Sequence, residues 1–263
     1  MKTTIINWLL VLFVSLSWGA SYMFTRIVVE EMPPSHLVSI RLLLAALLLG
    51  PIFINKEELV KMSKAIPFMM LLGIINAALP FFLFSWSAQE LSAGMLSILN
   101  GTQPLLALII AIALFRQNTT FLQIIGLFLG FIGLLIFIGL DEIQVIFFPV
   151  SLCLIGAFCY AYANNILFKL NHIKSSALAS ATMLSGFIFS IPLFLSEPQS
   201  FSFDLSLKAY FSILFLGLVS TGIFWGAIFL NENIDQKVIL GSLCILVGIG
   251  LTNIFKPKKL LRD

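Results

Sequence analysis

Nine apolar runs, each about the length of a bilayer crossing, decide what this chain can fold into. They are Ile6–Val29, Leu37–Ile54, Ile66–Ala88, Ala93–Phe115, Phe121–Leu140, Ile143–Leu170, Ala177–Leu195, Ala209–Leu230 and Val238–Phe255. A helix crosses the hydrocarbon core with about 20 mostly apolar residues. The runs are continuous rather than alternating, which excludes a β-barrel. Of the 263 residues, 60% are hydrophobic and 10% are charged, whereas a soluble domain carries about 25% charged residues. Such a chain has too little polar surface to face water, which excludes a soluble enzyme, a nucleic-acid binder and a disordered protein. The expected fold is an all-α, polytopic transmembrane helix bundle of about nine spans. Ile6–Val29 has too long an apolar core for a signal peptide and no A-x-A site after it, so it is expected to be a span.

Charge position gives an orientation. With the N-terminus in the cytoplasm, Lys2, Lys56, Lys61, Lys64, Arg116, Lys169 and Lys174 are inside, and only Arg26 and Lys208 are basic residues outside. Cytoplasmic loops carry such an excess of Lys and Arg. The tail breaks the pattern. Lys256, Lys258, Lys259 and Arg262 belong inside by charge, yet nine spans starting inside end outside.

Internal similarity explains the conflict. Gln117-Asn118 with Gly126 and Gly133 is similar to Glu232-Asn233 with Gly241 and Gly248, at an offset of 115. Arg26 is similar in place to Lys169 at an offset of 143, and Leu72-Gly73 to Leu216-Gly217 at an offset of 144. The difference, 29 residues, is about one helix and a turn, so one crossing is missing near residue 222. The expected organisation is two inverted repeats. Residues 1–140 hold five helices, and residues 141–263 hold a shortened four.

Ser17-Trp18-Gly19-Ala20-Ser21-Tyr22 resembles the opening motif of EamA-like members of the drug/metabolite transporter superfamily, as does Arg41 in the second span. Ser92-Ala93-Gly94-Met95 with Pro104-Leu105 resembles that family's fourth helix. Leu216 to Gly222 resembles its eighth, and Phe229-Leu230-Asn231-Glu232 with Gly241 and Gly248 its last hairpin. The likeness covers nearly the whole chain. It implies ten helices in two inverted repeats, both termini in the cytoplasm, and secondary transport by rocking of the two halves. This sequence departs from the pattern where Ser220-Thr221-Gly222 runs straight into Ile223-Phe224-Trp225-Gly226, and where Gln117 replaces an acidic residue.

Polar groups inside a membrane usually face a bundle interior or a cavity. Trp18, Ser21, Tyr22 and Thr25 share one helical face at i, i+3, i+4 and i+7. Tyr160 and Asn164 share another, with Asn165 beside them. Ser97, Asn100 and Pro104 align in the fourth span, with Gln103 one turn from Asn100. Pro104 removes an N–H and frees a carbonyl near Asn100. Asn76 and Trp86 add polar groups to the third span. These residues are expected to bind substrate. The alternative is that they join helices by hydrogen bonds worth about 0.6 kcal/mol each. Arg41, read as about one turn inside its span, is expected to be a gate or a counter-charge for an anion; snorkelling, or pairing with Glu30 or Glu31, is the alternative.

No HExxH, CxxC, Walker loop or GxSxG occurs, and Cys153, Cys159 and Cys244 lie in apolar runs. Neither catalysis nor a metal nor a cofactor is therefore expected. Gly126 and Gly130 form a GxxxG that serves close packing inside the monomer or at a homodimer seam. The expected function is a multi-pass inner-membrane secondary transporter, exporting a small metabolite or amphipathic organic compound. Its partners are that small molecule and the lipid bilayer, with no nucleic acid. The rivals are a non-transporting or degenerate membrane scaffold and a membrane-embedded enzyme.

Overall fold

A computed structural model describes residues 18–49, 65–114, 118–138, 143–170, 175–197 and 204–218, with 60, 62, 63, 116 and 173. Every regular element among them is helical. The helices are α1 (18–29), α2 (Pro34–Leu49), α3 (Ile66–Ser87), α4 (Ala93–Ala113), α5 (Phe121–Ile138), α6 (Ile143–Lys169), α7 (Ser175–Ser196) and α8 (Leu207–Leu218). Five of them, α3 to α7, contain apolar stretches long enough to cross a membrane. Phe121, Phe128, Phe147, Ile188, Leu195 and Phe211 stand exposed on the outer faces. Water would not tolerate that much bare apolar surface, whereas lipid requires it.

Helix starts follow local chemistry. Pro34 opens α2, where its missing N–H costs nothing. This starts α2 three residues before the expected Leu37 and buries Ser35 and His36, which sequence reading left outside the span. The Ser92 side chain accepts the Met95 N–H at 3.2 Å and caps α4. The expected ninth span, the join near Gly222, Cys244 and the basic tail lie outside the described residues. So do Lys56, Lys61, Lys64 and Lys174, along with the side chain of Lys169.

Helix α2 packs along α7, α3 along α6 and α7, α4 along α6, and α8 against α2. One apolar core gathers Val28, Leu37, Phe84, Leu96, Leu134 and Ile213. A second joins Met69 and Leu72 to Ala163, Ile166, Ala177 and Ala181. Small residues set the spacing of the helices. A Cβ on Gly156 would lie 3.0 Å from Phe84, and one on Gly130 would strike Leu105. The GxxxG of α5 therefore uses Gly130 against α4, within the monomer.

Polar ties collect at the end where α1 stops and α2 and α8 begin. Arg26 donates to the carbonyls of Ala88 and Leu91 at 3.0 and 2.8 Å, satisfying groups left over beyond the end of α3. Its guanidinium also lies 3.8 Å from Glu30. Ser35 donates to the Glu197 carboxylate. The Glu31 carboxylate accepts the Ser206 hydroxyl and amide at 2.6 and 2.7 Å, just ahead of α8. These bonds, the hydroxyl's first, hold the Glu31 carboxyl below the usual carboxylate range. A depressed folded-state value stabilises the fold above the unfolded value, and that contribution is lost as pH falls through the folded one. Glu31→Ala should therefore lower the unfolding midpoint in detergent at pH 7, and the gap from wild type should narrow as pH falls below the ordinary glutamate range. The effect should be small because the group is solvent-screened.

Candidate functional site

Two prolines shape the interior. Pro80 has no N–H to offer the carbonyl of Asn76, four residues earlier, and α3 widens into a π-turn over Ile74–Ala78. Pro104 stands in the same relation to Asn100, and α4 is interrupted at Thr102. Thr102 donates its hydroxyl to the Leu99 carbonyl at 2.7 Å, which absorbs part of the disruption. Both asparagines therefore sit where a helix loses a regular bond, and both side chains face the same space.

That space is a cavity of about 390 Å³ among α1, α2, α3, α4, α6 and α7. Its size suits a small molecule. Trp18, Ser21 and Tyr22 enter from α1, Arg41 from α2, Asn76 from α3, Asn100 and Gln103 from α4, and Tyr160 and Asn164 from α6. Trp18 is 70% exposed. The Gln103 amide donates to the Asn100 carbonyl oxygen. Phe84 is the hinge of an aromatic wall, with its ring centroid 5.5 Å from Tyr22 and 6.3 Å from a nearly parallel Tyr160.

Two of the expected residues stand apart. Trp86 packs edge-on against Phe148 at 5.2 Å and does not line the cavity. Phe81 and Ser85, one turn apart, hold the cavity face of α3, and Trp86 lies one position round the helix from it. The side chain of Asn165 lies outside the described residues. Sequence reading missed Phe81, Phe84, Ser85, Leu167 and Met183 as lining residues. Pro80 within an apolar run was the available signal for α3, because it marks where the helical phase shifts.

Arg41 is deeper than expected. It is two turns into α2 from Pro34, not one. It pairs with neither Glu30 nor Glu31, which are engaged by Arg26 and Ser206. Its guanidinium carbon lies 4.0 Å from the centroid of Phe81, and an Nη2 hydrogen goes to Ser21 Oγ at 3.0 Å. Among the described residues, no carboxylate lines the cavity.

Comparison with known proteins gives this architecture its context. The EamA-like transporter family matches residues 6–139. An uncharacterized transporter of Bacillus subtilis strain 168, YoaV, is 24% identical over 279 aligned positions that take in 91% of this chain and 94% of the relative. The protein PagO of Salmonella typhimurium is 27% identical over 257 positions, covering 92% of this chain and 83% of PagO. A solved crystal structure superposes with a TM-score of 0.56 at 9% identity, over 89% of this chain and 93% of that one, a likeness of fold. With a family match across half its length and helices that suit a bilayer, the chain belongs to the EamA-like transporter family.

Proposed function

We propose that the protein is a secondary transporter that exports a small metabolite or amphipathic organic compound through the cavity described above. One observation carries the reading. Polar side chains from five helices, expensive to place at membrane depth, converge with the rings of Trp18, Tyr22, Phe81, Phe84 and Tyr160 on one space of molecular size. Hydrogen bonding between helices needs pairs of such groups, not a chamber. Trp18, Ser21, Tyr22, Asn76, Asn100, Gln103, Tyr160 and Asn164 are its substrate-binding residues. Residues joined only for packing would serve a scaffold equally well, but a scaffold gains nothing from the space between them.

The two-repeat organisation, 1–140 and 141–263, belongs to the same proposal. Matched helix pairs support it. The contact of α3 with α7 has a counterpart in α8 with α2, and α2 meets α7 across the centre. The α3–α6 pair has its counterpart in α8 against α1, where Phe24 lies 4.1 Å from Phe215 between centroids. The alignment with YoaV is longer than this chain, so the relative carries residues absent here, as a lost crossing requires. The loop charges support an inner-membrane protein with a cytoplasmic N-terminus. In that orientation the ties at Arg26, Glu31 and Glu197 close the outer end, which suits loading from the cytoplasm.

Purified full-length protein in proteoliposomes, given a mixture of cytoplasmic metabolites on one side, should carry at least one of them saturably and in counterflow. Flux no faster than in empty liposomes for every component would refute transport and favour the scaffold.

A further inference from the structure

We propose that the cavity selects organic anions, and that Arg41 takes the carboxylate of a solute whose body is aromatic or otherwise apolar. The inference rests on reading the cavity as a solute chamber, and it adds the chemical class of what enters.

The charge balance is the first argument. Arginine keeps its charge at any physiological pH. A cation at membrane depth is costly unless paired. No ion pair reaches Arg41 among the described residues, and the cavity lining contains no acid. None of the twelve Asp and Glu residues of the whole sequence stands in the middle of an apolar run. The neighbours in the cavity are neutral amides, hydroxyls and rings. The site therefore holds one fixed positive charge and waits for one negative one.

Geometry is the second argument. A guanidinium offers five N–H donors in a planar fork. One goes to Ser21, and Phe81 lies against the group at 4.0 Å. These two contacts fix its orientation and leave donors for a carboxylate, which matches the fork in a bidentate pair. The apolar body of the solute then meets Tyr22, Phe84 and Tyr160, whose rings form one wall. Asn76 and Asn100 hydrogen-bond to polar substituents of either sense, so they orient the solute without selecting its charge. An organic cation meets like charge and no acid. A dianion finds one partner for two charges.

Three probes share one ring and differ in charge: 3-phenylpropanoate, 3-phenylpropanamide and 3-phenylpropylammonium. Full-length protein in phosphatidylcholine nanodiscs, which contain no anionic lipid to compete for Arg41, is titrated with each while its unfolding midpoint is followed. The carboxylate should raise the midpoint with an apparent Kd at least about tenfold below that of the amide, and the ammonium should leave it unchanged. Arg41→Gln should lose the carboxylate's advantage over the amide. Arg41→Lys, which keeps the charge without the fork, should retain part of it and shows that the site tolerates substitution. An amide or ammonium that binds as well as the carboxylate overturns the proposal. So does a carboxylate preference that survives in Arg41→Gln, or no shift with any probe. The transporter reading fails separately. Saturable flux of some solute that ignores both 3-phenylpropanoate and Arg41→Gln sinks the anion site and leaves transport standing. A carboxylate-specific shift without any flux supports the anion site and sinks transport.

Discussion

Gly73→Ala should lower the stability of the bundle by about 1–3 kcal/mol, the largest loss expected from adding a single carbon. The new Cβ would land on the Ser185 hydroxyl and within 2.6 Å of the Gly186 backbone nitrogen. Neither can yield cheaply. Ser185 Oγ is held by bonds to the carbonyls of Ala181 at 2.7 Å and Met69 at 3.0 Å, and the Gly186 nitrogen moves only if α7 moves. The approach is mutual. A Cβ on Gly186 would stand 3.0 Å from both the Gly73 carbonyl oxygen and Ala77 Cβ. Without a hydrophobic drive between helices in lipid, packing at such small-residue contacts is a main source of association. Parting α3 from α7 also disturbs the π-turn that begins at Ile74 and holds Asn76. Gly101→Ala is the matched control, because nothing lies within 4 Å of its added carbon and alanine is the better helix former. Thermal unfolding in detergent should place Gly73→Ala well below wild type and Gly101→Ala at or above it. Equal midpoints for the two variants would show that the α3–α7 contact is looser than described.

Much of this fold is legible in the sequence, because the length of an apolar run is a one-dimensional property. The reading of Ile66–Ala88 meets a helix ending at Ser87, and that of Ile143–Leu170 a helix ending at Lys169. Errors fall where polar residues are absorbed by partners distant in sequence. Ser35 reads as loop, but Glu197, 162 positions away, takes its hydroxyl. His36 reads as a loop edge, but it is buried with its ring edge-on to Phe194 at 4.5 Å between centroids. Helical periodicity puts Tyr22 and Ser21 on one face and Tyr160 and Asn164 on another, and reading them with Trp18 and Asn100 as the lining of one central cavity already requires these faces to meet. Within α3, Trp86 reads as a site residue only for its polarity; the π-turn ahead of Pro80 shifts the helical phase, and Phe81 and Ser85 face the cavity instead. The depth of Arg41 followed from the start of α2 at Pro34, a backbone decision that hydropathy does not register.

Asn164→Trp should reduce transport to the background of empty liposomes while leaving the protein folded. Asn164 lies on α6 one turn from Tyr160 and is exposed within the cavity rather than packed against a neighbouring helix. An indole there projects into about 390 Å³ of open space, so it fills the chamber without displacing a packed side chain. It can stack on Tyr160 and Phe84, whose rings already lie nearly parallel. Folding and function should therefore separate at this position, which they do not at Gly73. The decisive measurement is counterflow of one carried solute into proteoliposomes containing equal amounts of wild type and Asn164→Trp, both shown to be monodisperse with matching unfolding midpoints. The cavity account predicts saturable counterflow for wild type and none for the variant. Equal counterflow in the two would contradict it, because the solute would then be crossing by a route that does not pass between α1, α4 and α6.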